Sequence, residues 1–405
     1  MKEIYLDNAA TTKLREEVKQ EMLNYFDVVY GNPGSFHGKG LEAKNAVEDA
    51  RERVAKLINA KSREITFTAG GTESINLALK GLAKAMKDKG NHIITSRAEH
   101  HAVLNTCEYL EKYECCEVTY LEVDKYGMVN PSDVESAIKP NTILITIMYA
   151  NNEIGTINPM AEIGTIARKH NIYFHTDACQ AAGYCDLDTE KLNVDMMTLN
   201  GSKVYGPKGT GILYAKTGIQ LVPLVHGGGQ ERNLRSGTEN VPGIMGFAKA
   251  LELAQTEREY EFNKLTKLRD KLVNGILESV SKTFLNGHPT QRLPNNANVS
   301  ILDIEGEALT LYLNEYDIYT STGSACTSQT LDPSHVVLAT GLPYEAAHGS
   351  IRFTLGKETT EDDIEKVLEV LPGIVKTLRQ ISPVNVAVEH IVEARSKKWA
   401  SLMMK

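Results

Sequence analysis

The chain has 405 residues, 42% of them hydrophobic and 24% charged, with a formal net charge of −8. Such a composition belongs to a globular protein with enough chain to bury a core and a deep cleft. It argues against nucleic acid as a direct partner, because no basic run gathers the Lys and Arg that phosphates need, and against a membrane span, because the longest apolar run, near 142–150, is far too short.

The first residues, Met1 to Asp7, hold no apolar signal core, so a cytoplasmic location is expected. In a reducing cytosol the six cysteines are thiols and not a disulfide framework, and their spacing suits no zinc site. From about residue 63 to 215 short β-rich runs alternate with helical patterns. Strands are expected at 64–68, 92–95, 117–122, 142–149, 172–176 and 194–199, with helices such as 74–87 and 160–170 between them. Strands alternating with helices imply an α/β fold with a mainly parallel sheet, whose ligands bind at the carboxyl ends of the strands. A long helical region follows at 242–279, then β-rich pieces at 297–302, 318–320 and 350–355 and a helix at 360–379, which read as a smaller α+β domain beginning near 255–265. Past Pro383, Val388, Ile391, Val392, Arg395, Trp399 and Leu402 fall near helical spacing, suiting either a helix packed on the small domain or a partner-docking helix.

Five segments offer chemistry. Residues 68–74 (TAGGTES) lie between a strand and a helix: a glycine turn that cradles a phosphate on free N–H groups, with Thr72 adding a hydroxyl, or a plain turn capped by Thr72. Asp177 ends a strand that should be buried, where a carboxylate is costly unless paired; a positive ring nitrogen or the next helix N-terminus would each account for it. Lys203, in the Gly-rich run 200–211, is placed to form a Schiff base, or is one more solvated loop lysine. Cys326 sits among small polar residues at 320–328, as an accessible nucleophile or an incidental thiol. Arg352 within an apolar strand needs a partner, either a substrate carboxylate or an internal acid, and taken alone the internal pair is favoured.

Together these segments resemble the cysteine desulfurases of the NifS/IscS type. The resemblance runs in order through residues 5–12 (YLDNAATT), 31–33 (GNP), 98–100 (AEH), 151–155 (NNEIG), Asp177 to Gln180, 205–209 (YGPKG), 235–238 (RSGT) and 323–328 (GSACTS). It implies the fold type I architecture of pyridoxal 5'-phosphate (PLP) enzymes, with a seven-stranded, mainly parallel sheet flanked by helices and a smaller α+β domain. It also implies a homodimer. The implied division is an N-terminal segment 1–20 packing with the small domain, a PLP-binding domain 21–260, a small domain 261–380 and a helical tail 381–405.

Roles carry over by position. Lys203 resembles the lysine that carries the cofactor, Asp177 the partner of its ring nitrogen, His100 the residue stacked on the ring that also helps proton transfer, and Gln180 the residue near the ring hydroxyl. Gly71, Thr72 and Ser202 fall at phosphate positions, and Thr238 matches a residue reaching the phosphate from the neighbouring subunit. Asn152 and Arg352 match the clamp on the substrate carboxylate, and Cys326 the nucleophile that accepts sulfur. The resemblance implies that L-cysteine becomes L-alanine while its sulfur forms a persulfide on Cys326, passed on to an iron–sulfur scaffold or a tRNA-thiolation factor. Ser202 departs from the family, which usually has His there; a hydroxyl still bonds phosphate but supplies no titrating imidazole. Rival readings are a selenocysteine lyase, which Cys326 disfavours, and a non-catalytic scaffold, which the retention of Lys203, Asp177 and Cys326 disfavours. A nicotinamide enzyme is disfavoured because no GxGxxG follows the first strand.

Overall fold

A computed structural model describes residues 2–322, 332–383, 385–389, 391 and 393. The first half runs β1 (Ile4–Tyr5), α1 (Glu16–Asp27), α2 (Gly38–Leu57), β2 (Ile65–Thr68), α3 (Gly71–Ala85), β3 (His92–Ser96), α4 (His101–Glu114), β4 (Glu117–Leu121), α5 (Pro131–Ser136), β5 (Thr142–Thr146), α6 (Met160–Lys169), β6 (Tyr173–Asp177), α7 (Thr189–Leu192), β7 (Met196–Asn200) and β8 (Gly211–Ala215). Among the described residues β2 to β8 form one sheet of seven strands in the order β2-β8-β7-β6-β5-β3-β4. Its strands other than the edge strand β4 are buried almost end to end, as a sheet covered by helices on both faces requires.

Only β8 runs against its neighbours, β2 and β7. The sequence did not announce this strand. It follows β7 through residues 201–210, too few for a crossover helix, so the chain returns beside β7 as a hairpin partner. β3 to β7 are parallel along the sheet, so their carboxyl ends share one edge, and β2, reversed with respect to β8, ends there too.

The second half runs α8 (Val241–Thr256), α9 (Arg258–Ser279), β9 (Thr283–Asn286), β10 (Asn296–Ile301), α10 (Gly306–Asn314), β11 (Ile318–Tyr319), α11 (His335–Ala339), α12 (Tyr344–His348), β12 (Ser350–Thr354) and α13 (Glu361–Ile381). The expected helix 242–279 is two helices, because Glu257 leaves helical geometry at φ −92°, ψ 0°. β12, β10 and β9 form an antiparallel sheet, and β1 pairs in parallel with β11.

That pairing explains the path of the N-terminus. Ile4 and Leu6 are buried in a core with Leu265, Leu272, Val299, Ile351, Phe353 and Leu371. Val18, one turn into α1, is buried in the separate core of α2, the large sheet and α8. Residues 7–12 therefore cross from one core to the other over the carboxyl edge of the sheet. At the far end, Val386 N–H donates to Asp303 Oδ1 at 2.7 Å, and Val386, Val388 and buried Ile391 pack against the larger core. Val392, Arg395, Trp399 and Leu402 lie outside the described residues. No helix among the described residues is long and apolar enough to cross a membrane.

Candidate active site

Three strand ends form the floor. β2 gives way to α3 through Gly70, at φ +148°, a region only glycine adopts freely. Gly70, not Thr72, is the N-cap, and no side chain caps this helix, so the N–H groups of its first turn face outward. A Cβ on Gly71 would lie 2.8 Å from Cys179 Sγ, so the close approach of α3 to the segment after β6 demands glycine there. Thr72 is exposed beside it.

Asp177 closes β6 and is buried, its Oδ1 accepting Cys179 N–H at 2.9 Å. β7 ends at Asn200, whose side chain accepts from both Ser202 N–H and Ser202 Oγ at 3.2 Å, shaping the tight turn Gly201–Lys203. That turn aims Lys203 Nζ at the carbonyl oxygens of Ala9 and Ala10, at 2.8 and 2.6 Å.

His100 caps α4, its Nδ1 accepting Ala102 N–H at 3.0 Å, so Nε2 holds the proton of the neutral ring. Burial lowers its pKa, Lys203 and the rings of His101 and His335 push it the same way, and Asp177 opposes them. The charges of Asp177 and Lys203 thus both reach this imidazole. Next to it, Glu99 is wholly buried: Oε1 accepts from Met148 N–H and Ser96 Oγ, while Oε2 has no partner among the described residues. Burial, with a smaller push from Asp177, raises its carboxyl pKa to about 8, so Glu99 is protonated at neutral pH.

The N-terminal turn at residues 7–11 roofs this floor. Ala9 O accepts from Lys203 Nζ and from Gln180 Nε2 at 2.9 Å. Thr354 Oγ1 accepts Ala9 N–H at 2.9 Å, and Thr12 Oγ1 donates to Ser202 O at 3.0 Å, fastening the turn to both sides. On β12, buried Arg352 donates from Nη2 to Asp7 Oδ1 at 2.9 Å and from Nη1 to the backbone carbonyl of Asn152 at 3.0 Å. The internal acid favoured by the sequence alone is therefore real. Beside Asn152, buried Glu153 accepts from Ser334 Oγ, and burial raises its pKa to about 7.

The structure brings together Lys203, Asp177, His100, Gln180, Gly71 and Ser202, with Asn152 and Arg352 at the turn. Thr238 stands exposed in the segment before α8, which Arg235 ties to the first turn of α3 through Glu73 at 2.9 Å. Cys326 lies outside the described residues. Among the other cysteines, burial raises the thiol pKa of Cys107 and Cys179, of Cys116 to about 11 and of Cys185 to about 12, leaving these four protonated at neutral pH. Asp7, Ala9 and Ala10 escaped the sequence reading. The carbonyls have no side-chain signature, and only the quoted run at 5–12 pointed to them.

No group of three or more His, Cys, Asp and Glu side chains among the described residues could hold a metal ion. The donor set suits PLP: an uncapped helix start and hydroxyls for a phosphate, a buried carboxylate for a ring nitrogen, and a lysine for an aldehyde.

Comparison with known proteins agrees. Residues 4–367 match the aminotransferase class-V family. A protein named cysteine desulfurase IscS from Methanosarcina thermophila is 55% identical, over 94% of this chain and 94% of its own length. A solved structure described as a NifS-like protein superposes with a TM-score of 0.88 at 40% identity, covering 93% of this chain and 100% of that one. Another, described as SspA in complex with cysteine, superposes with a TM-score of 0.77 at 38% identity, covering 87% of this chain and 98% of that one.

Proposed function

The chain belongs to the class-V aminotransferase family and, within it, to the cysteine desulfurases; from that membership we propose which residues do the work. The observation that supports the assignment best is the convergence of Lys203, Asp177 and His100 at the carboxyl edge of the sheet, beside the uncapped start of α3. Gly71, Thr72 and Ser202 hold the cofactor phosphate, with Thr238 contributed by the neighbouring subunit. Asp177 keeps the ring nitrogen protonated by opposite charge. His100 would stack on the cofactor ring, and Gln180 would stand near its hydroxyl. Bound there, PLP supplies an electron sink.

Lys203 carries the cofactor at rest and, when free, moves the Cα proton of the substrate. Arg352 and Asn152 would hold the carboxylate of L-cysteine and so orient its Cα–H bond for proton removal by Lys203. The Cys326 thiolate then attacks the substrate sulfur. A new S–S bond forms and the Cβ–S bond breaks, its electron pair staying with carbon. Cβ takes up a proton, Lys203 returns the proton to Cα, the product leaves as L-alanine, and Cys326 is left as a persulfide. The protonated state of Cys107, Cys116, Cys179 and Cys185 removes four competitors for this step.

The same reading makes the enzyme a cytoplasmic homodimer. It divides the chain into an N-terminal segment 1–20, a PLP-binding domain 21–260, a small domain 261–380 and a helical tail 381–405. The sulfur goes to an iron–sulfur scaffold or a tRNA-thiolation factor.

Cys326→Ser tests the assignment. It should bind PLP and respond spectrally to cysteine as the native enzyme does, yet release no sulfide and label no acceptor. Mass mapping of the native enzyme after one turnover should find about one extra sulfur atom on the peptide holding Cys326. Native-like sulfide release by Cys326→Ser would instead favour a lyase.

A further inference from the structure

Arg352 is 3% exposed, yet its guanidinium is only partly used. Nη2 donates to Asp7 and Nη1 to Asn152 O, while Nε is buried without a partner among the described residues. A guanidinium presents a planar fork that a carboxylate grips with both oxygens. Asp7 gives it one, at 2.9 Å. The fork is therefore held by a partner that leaves part of its capacity unspent.

Asp7 reaches it from a fixed backbone. Thr354 N–H donates to Leu6 O at 2.6 Å and Asn8 N–H to Thr354 O at 3.2 Å, on either side of Asp7. Its own carbonyl accepts from Tyr5 Oη at 3.1 Å and from Ala10 N–H at 3.1 Å. The carboxylate can move only by side-chain rotation. With 21% of that side chain exposed, it has a route to water that Arg352, at 4%, lacks.

We propose that Asp7 is a positioning residue for substrate binding: it is an internal counter-ion that holds the Arg352 fork until the α-carboxylate of an amino-acid substrate displaces it. Two carboxylates on one guanidinium repel each other, so an incoming carboxylate competes with Asp7 for Arg352. A ligand without a carboxylate gains nothing from the fork, and one that has it binds against Asp7. This deepens the reading in which Arg352 receives the substrate carboxylate, and rests on it.

The test is calorimetric binding of L-alanine and of ethylamine, which lacks the carboxylate, to the PLP-loaded enzyme, with KM and kcat for L-cysteine measured alongside. Asp7→Asn should tighten L-alanine by about tenfold, the scale of one charge-assisted hydrogen bond that need not be broken, and should lower KM with kcat little changed. Ethylamine should bind as before. Asp7→Ser, which also removes the charge, should do the same and covers poor folding of the first variant. Weaker L-alanine binding would overturn the inference, since Asp7 would then be orienting Arg352; so would an equal change for both ligands, which marks a merely structural residue. Arg352→Lys separates the two levels. If it leaves L-alanine binding intact, Arg352 is not the clamp and the inference falls with it. If it weakens binding while Asp7→Asn fails to tighten it, the clamp stands and the role of Asp7 alone is lost.

Discussion

The ends of β6 and β7 and the N-terminal turn at 7–11 approach the same lysine by different means. At the strand ends the sheet does the positioning. Asp177 and Lys203 leave adjacent parallel strands, Asn200 shapes the turn between strand and lysine, and Glu99 behind them is kept neutral by burial. At the turn no regular element holds the chain. It is strung between two cores and fastened by hydrogen bonds to Ser202 on one side and to Thr354 on the other, and its carboxylate, Asp7, is paired and partly exposed. A floor built from buried strands tolerates little movement, whereas on the roof a partly exposed side chain can exchange partners by rotation while its backbone stays in place. Cofactor retention should therefore depend on the first region and substrate binding on the second.

The strongest way to break that division is Lys203→Ala. Turnover should vanish, and borohydride reduction followed by mass analysis should find no cofactor fixed to the polypeptide. A fixed cofactor in this variant would move the attachment point elsewhere and dissolve the floor as described.

Thr354→Val sharpens the division from the other side. It strips the acceptor from Ala9 N–H in a buried setting, a loss of about 1–3 kcal/mol, and loosens the turn where it meets β12. A displacement of this kind should lower kcat/KM for L-cysteine by about tenfold with cofactor content unchanged. Cofactor loss in proportion to the fall in activity would mean that the two regions act as one.

The smallest effect on catalysis is expected at Glu99, where the change is read in stability instead. Its folded pKa, about 8, lies above the ordinary carboxyl value of 4.5. The folded protein thus keeps a proton that the unfolded chain releases. Stability from this group is full below the ordinary pKa and falls as pH rises toward about 8, by on the order of a few kcal/mol. Glu99→Gln carries no such proton, so its melting temperature should gain on the native enzyme between pH 5 and pH 8. A constant gap across that range would show that Glu99 is ionised in the folded state.

Much of the floor was legible in the chain itself. Apolar runs separated by amphipathic stretches predict the six parallel-running strands to within a few residues, because side-chain periodicity is local. The segment 68–74, Asp177 and Lys203 each admitted two readings from their own few residues, a phosphate turn, a paired acid and a Schiff-base lysine among them, and the resemblance alone chose between those readings. The run at 5–12 pointed to the turn by resemblance only. What tertiary structure alone decided is everything that joins distant segments. β8 runs antiparallel because a ten-residue return cannot hold a crossover helix. Ala9 and Ala10 serve through backbone carbonyls, which every residue has and no composition marks. Asp7 and Arg352 are 345 positions apart, and their pairing exists because β1 joins β11 and β12 runs beside it, bringing the first and last parts of the fold to one edge. A charge can be read from a sequence, but its partner and its hydration depend on what packs around it, and packing is long-range.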